Sequence, residues 1–236
     1  MNALLLSTAA GLGFFHTLIG VDHYVPFVAM SKTGKWSMKK TLFIVFICGI
    51  GHILGSVVLG LLGIWLGAQV TILVGIEDIR GEIATWFLIA FGIIYMLWGI
   101  RRAVKNKPHR HVLPGGDEIW HGHGGKSHEG DASLDAHAQD TGVSRSFWPL
   151  FILLVLGPCE PLIPLLMYPA AEAGMMAVAA VAIVFSICTI TAMLLGTFVV
   201  LKGINMIKTP RLERYTHVLA GFSILMCGLA IQFLGI

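Results

Sequence analysis

Charge is what this 236-residue chain has least of: Asp, Glu, Lys and Arg together make up 12%, against 56% for apolar side chains. A soluble domain carries about 25% charged residues, so the chain lacks the polar surface that would cover a water-soluble globule. Cysteine is scarce as well. Cys48, Cys159, Cys188 and Cys227 all fall in apolar stretches, and there is no Cys-x-x-Cys pair. That spacing argues against a disulfide framework or a thiolate zinc site. There is no Gly-x-x-x-x-Gly-Lys-[Ser/Thr] phosphate loop, so energy for transport would come from a gradient or a partner. The N-terminus has no basic leader, and its apolar run outlasts that of a cleaved signal.

What the chain does have is six long apolar stretches, at 3–30, 42–66, 83–100, 147–171, 175–201 and 218–236. Each is long enough to cross about 30 Å of hydrocarbon at about 1.5 Å per residue. The runs are continuous and do not alternate with period two, which favours helices over a barrel. The expected fold is an all-α membrane protein with six transmembrane helices.

Lys and Arg collect between the first and second stretches, the third and fourth, and the fifth and sixth. Only Arg80, beside Glu77, Asp78 and Glu82, lies on the other side. Cytoplasmic loops collect basic residues, which predicts a cytoplasmic-membrane protein with both termini outside. Six spans split into three plus three, the second half inverted relative to the first. Residues 1–102 would form one three-helix repeat, 103–145 a cytoplasmic loop and 146–236 the second repeat. Weak internal similarity agrees. An offset of 138 pairs Asp22 with Glu160 and Pro26 with Pro164, and an offset of 129 pairs Gly92 and Gly99 with Gly221 and Gly228. Inverted repeats are a common transporter plan, with the binding site at their interface.

The 103–145 loop carries His109, His111, His121, His123, His128 and His137, six of the chain's ten histidines. It has too few apolar residues to fold alone, and His-rich tracts read as metal-binding segments. Its plainer reading is a solvated linker.

The first span holds His16, Asp22 and His23 in otherwise apolar sequence. An ionisable residue at membrane depth costs at least about 2.5 kcal/mol and marks a functional site by default. On an ideal helix His16 and His23, seven apart, face one way. Gly20 and Pro26 make a local break that would turn Asp22 toward them. In the second span, Gly49, His52, Ser56, Gly60 and Gly63 share one face, whose small residues admit close packing and aim His52 inward. The fourth reads Gly157-Pro158-Cys159-Glu160-Pro161-Leu-Ile-Pro164, which no regular helix accommodates. Broken helices near the midplane point to a transport site.

Imidazole with carboxylate suits nickel, cobalt or zinc, and sulfur from Cys159 would draw softer ions. The expected metal residues are His16, Asp22, His23, His52, Cys159 and Glu160, with Asp22 supplying charge or orienting an imidazole. A structural hydrogen-bonded cluster is the bland alternative. For His217, at the start of the last span, and for Cys48, Cys188 and Cys227, packing is the default.

The run His16-Thr-Leu-Ile-Gly-Val-Asp22-His23, the basic Lys35-Trp36 loop and Gly49-Ile-Gly-His52 resemble the nickel/cobalt transporter families. The likeness is closest to NicO and urease-accessory UreH-like membrane proteins, related to TauE-like exporters and CcdA/DsbD membrane domains. It covers about the first 65 residues. It implies six spans, nickel or cobalt as cargo, and metal handling by His16, Asp22, His23 and His52. Gly157-Pro158-Cys159 resembles the Pro-Cys element of the thiol-reducing branch, but the first span has no second cysteine, which disfavours a dithiol relay.

The function expected is secondary transport of a divalent transition-metal ion, not enzymatic catalysis. The metal is a substrate, and no permanently bound cofactor is expected. A transmembrane thiol or electron carrier and a proton-coupled transporter of a small anion or organic solute are the alternatives. Expected partners are membrane lipid and a cytoplasmic metallochaperone or metalloenzyme maturation protein, with no nucleic acid. Homo-oligomerisation, and import versus export, stay open.

Overall fold

Gly20 and Pro26 end the first apolar stretch as one straight helix. In the computed structural model, which describes residues 3–105, 109–112, 118–121, 148–157, 159, 161–206 and 215–235, α1 (Ala3–Ile19) stops where Gly20 turns extended at ψ 95°. A single 3-10 turn, Val21–His23, follows, and α2 (Val25–Thr33) leaves at 81° to α1. Pro26 lies in the first turn of α2, where its missing N–H costs nothing; inside a continuous helix it would clash with the carbonyl of residue 22.

The second stretch becomes α3, Met38–Leu66. Its N-terminus is capped by the Ser37 hydroxyl, which accepts from the Lys40 N–H, and its C-terminus by Gly67 at φ +63°. These are the Ser N-cap and glycine C-cap that free helix ends call for. The third stretch is longer than expected. Helix α4 runs Val70–Lys105 and so begins 13 residues before position 83, taking Glu77, Asp78, Arg80 and Glu82 into the helix. The span expected at 147–171 is cut in two. Helix α5 covers 148–156, and α6 runs Leu162–Glu172. Helix α7 is Met175–Met206 and α8 is Thr216–Leu234.

Among the described residues four helices, α3, α4, α7 and α8, are each long and apolar enough to cross a membrane, and the bent α1–α2 pair makes a fifth if taken as one span. Their outward faces agree. Phe43, Leu54, Phe87, Ile94, Ile187 and Val199 are all more than half exposed, a belt too large for a water-facing surface and suited to lipid. The apolar body is helical throughout. Within the loop, β1 (His109–Val112) and β2 (Glu118–His121) pair antiparallel, setting His109 opposite His121.

Two apolar clusters hold the bundle. One joins Phe27, Val45, Leu88, Leu150, Met193 and Ile224. The other joins Ala9, Ile53, Cys159, Leu166, Val181 and Phe185. Helices α4 and α8 pack through glycine. A Cβ on Gly92 would meet the backbone of Leu225 at 2.6 Å, one on Gly99 that of Val218 at 2.7 Å, and one on Gly228 the side chain of Ile89 at 2.7 Å; one on Gly221 would collide with the backbone of Met96. The four approaches are related in pairs by the offset of 129 seen in the sequence. Gly92 against Leu225 maps onto Gly221 against Met96, and Gly99 against Val218 onto Gly228 against Ile89. The two helices therefore meet antiparallel across a local two-fold axis, and these glycines pack within one chain.

Candidate functional site

The break after α1 builds the site. Gly20 donates its N–H to the His16 carbonyl at 2.9 Å and closes the last α-helical turn. The 3-10 turn then folds His23 back. Its Nδ1 lies 3.0 Å from the Gly20 carbonyl oxygen and 3.0 Å from Oδ1 of Asp22. Both partners are acceptors, so Nδ1 carries a proton, and on the neutral ring Nε2 keeps a lone pair. Gly20 is required by space: a Cβ there would sit 2.5 Å from His23 Nδ1 and 3.0 Å from Asp22 Oδ1.

His52 is fixed the same way from another element. Its Nδ1 lies 2.9 Å from the carbonyl oxygen of Leu154, in the last turn of α5. A carbonyl only accepts, so Nδ1 again carries the proton. Glycines along α3 let α5, α6 and α7 pack close to it. Gly51 faces Phe151 and Val155, Gly60 faces Leu166 and Gly49 faces Met193. His52 is 1% exposed and His23 3%.

The rings stand in file. His16 and His23 have centroids 5.4 Å apart at 77°, and His23 and His52 5.1 Å apart at 86°. On a straight helix two residues seven apart are separated by about 10.5 Å along the axis, so the bend, and not the helical period, joins His16 to His23. All three Nε2 atoms are buried without a hydrogen-bond partner. Such orphans are uncommon in folded chains and call for an explanation. Two imidazoles sharing one ion, with metal–nitrogen bonds of about 2.1 Å, have centroids roughly 5 Å apart, close to both separations here. Among the described residues, however, no three His, Cys, Asp or Glu side chains form a ready cluster around one point. The sequence suggested a common pocket; the histidines instead make successive pairs.

His16, Asp22 and His23 line a cavity of about 440 Å³ whose other walls include Phe27, Leu88, Leu150 and Leu154. His52 lies behind His23 and is not part of that wall. Cys159 is buried in the apolar cluster with Ile53, Leu162 and Phe185 and does not line the cavity either. Glu160, His123, His128 and His137 lie outside the described residues, and His109, His111 and His121 are described only by the backbone of the ribbon. His217 accepts or donates at 3.0 Å with the Tyr95 hydroxyl and stacks edge-on against Trp98, a packing role.

Sequence reasoning missed one pair. Glu77, 0% exposed, forms an ion pair with Arg80 one helical turn on. Arg80 Nη2 donates to the Val155 carbonyl at 2.9 Å, and Glu77 Oε2 accepts the Cys159 N–H at 3.1 Å. The acidic and basic residues between two apolar runs read as a loop. The available signal was their i, i+3 spacing, which puts both on one helix face.

The chain thus has the helices of a multi-pass membrane protein, with ionisable side chains gathered where two of its helical segments break. No protein-family model, curated protein or solved structure matches it.

Proposed function

We propose that this protein is a secondary transporter of a divalent transition-metal ion of the nickel/cobalt class. The observation that carries the reading is the set of three buried, unpartnered Nε2 atoms on His16, His23 and His52, two of them on rings whose Nδ1 is tied to a carbonyl or carboxylate. Histidines that bind metals characteristically donate their second nitrogen to such a group. The file of rings suits a cargo handed from the His16–His23 pair, beside the cavity, to the His23–His52 pair behind it. Asp22 supplies negative charge where the ion's charge would otherwise be unbalanced. The resemblance of the first 65 residues to NicO and UreH-like proteins favours the same cargo.

The reading includes six spans in a three-plus-three inverted repeat. Its support is the two-fold relation of α4 to α8 and the parallel order of a broken segment followed by two long helices in each half. Both termini would face outward, with the His-rich loop in the cytoplasm. Deleting 109–137 would raise the cell's metal sensitivity if the direction is export.

The size of the cavity and its leucine and phenylalanine walls favour one second reading, a proton-coupled transporter of a small organic solute. Full-length protein in liposomes decides between them. Nickel(II) or cobalt(II) flux that His23→Ala abolishes is expected. No flux of nickel, cobalt, zinc or iron would remove the metal reading.

A further inference from the structure

Glu77 and Arg80 spend their polar groups on the two cut ends of the fourth apolar segment. A helix leaves its last carbonyls and first N–H groups without partners. At the end of α5, the Leu153 and Leu154 carbonyls accept the Gly157 N–H at 3.0 and 3.1 Å, Leu154 also accepts from His52, and Val155 accepts from Arg80. Ahead of α6, the Cys159 N–H is taken by Glu77. A cation thus meets the C-terminal end of α5, the favourable match to its helix dipole, and an anion takes the Cys159 N–H, two residues before Pro161 caps α6. A buried ion pair is poor value for stability alone, which directs attention to what this one holds in place.

Leu154 and Val155 are consecutive, and their carbonyls are gripped by His52 and Arg80 respectively. Any shift of the α5 end moves both contacts together. Gly55, one turn beyond His52 on α3, gives the guanidinium its room: a Cβ there would lie 3.1 Å from Arg80 Nη2 and 3.5 Å from the Val155 oxygen. The histidine and the ion pair therefore meet the same turn of α5 from neighbouring positions on α3 and α4.

We propose that Glu77 and Arg80 are a positioning pair for the histidine site: they clamp the break between α5 and α6 and so hold the Leu154 carbonyl that fixes the tautomer of His52. The role in ion binding rests on the metal reading above; the role in fixing the tautomer does not.

The test uses the full chain in lipid nanodiscs, labelled with ¹⁵N-histidine, the His52 signal being assigned by its loss in His52→Gln. The double variant Glu77→Gln/Arg80→Met removes the clamp without stranding a buried charge. With no metal added, its His52 signal is expected to move from the pure Nδ1–H form to a mixture of tautomers. Cobalt(II) affinity, read by absorption titration, is expected to fall about 10–100-fold, the range for losing a group that orients a ligand. A folded double variant whose His52 keeps the wild-type tautomer overturns the proposal. If the double variant does not fold, Arg80→Lys, which keeps the charge but loses the planar fork that spans Glu77 and Val155, is judged by the same signal. Wild-type protein that binds no cobalt(II) would sink the metal reading, and the tautomer would still decide the clamp.

Discussion

His52 on α3 and Leu154 on α5 are joined by a 2.9 Å hydrogen bond between the imidazole Nδ1–H and the main-chain carbonyl oxygen, across 102 residues of sequence. The bond does two things: it satisfies a carbonyl at a broken helix end, and it leaves Nε2 open. The two can be separated. His52→Leu removes one of the two hydrogen bonds that the Leu154 carbonyl accepts, the Gly157 N–H remaining, and should cost about 0.5–1.5 kcal/mol. His52→Asn places an amide N–H near the old Nδ1 and should recover most of that loss. Neither variant should bind cobalt(II) like the wild type. Thermal unfolding in detergent and metal titration of the three proteins check this.

Asp22→Asn keeps an acceptor beside His23 Nδ1 and removes the charge. Its fold should survive, while cobalt(II) affinity by calorimetry should drop about 10–100-fold. An unchanged affinity would mean that Asp22 neither balances the ion nor orients His23.

Gly221→Val drives side-chain atoms into the backbone of Met96. Overpacking of this kind costs about 1–3 kcal/mol or more, so its unfolding midpoint in detergent should fall clearly. Gly203→Ala is the control. A Cβ there meets nothing within 4 Å, and exchanging glycine for alanine inside a helix gains up to about 1 kcal/mol.

Cys159→Ser separates ion transport from a thiol relay. Cys159 lies among apolar side chains and away from the histidine cavity. Metal flux in liposomes should be close to that of the wild type. Abolished flux with an intact fold would return sulfur chemistry to consideration.

The sequence made the histidines visible because an ionisable group in an apolar run is expensive and stands out. It showed Gly92 and Gly99 matched by Gly221 and Gly228, but not that the two helices face each other through them. Two things were hidden. His16 and His23 meet through the bend at Gly20, and spacing along a straight helix would have set them too far apart. Glu77 and Arg80 read as the edge of a span because a charged patch between apolar runs is most simply placed in water. Their burial depends on a partner, the cut end of α5, that local sequence does not reveal.

The glycine contacts between α4 and α8 set how the molecule can move. Helices that approach this closely through glycine leave little room for side chains between them to re-pack, which favours the pair moving as one. On the transport reading, alternation between inward and outward openings would fall to the jointed segments, α1 with α2 and α5 with α6. His16, Asp22 and His23 sit at the first joint and the Leu154 carbonyl that holds His52 at the second, so on the transport reading loading the site and reorienting it would engage the same few bonds.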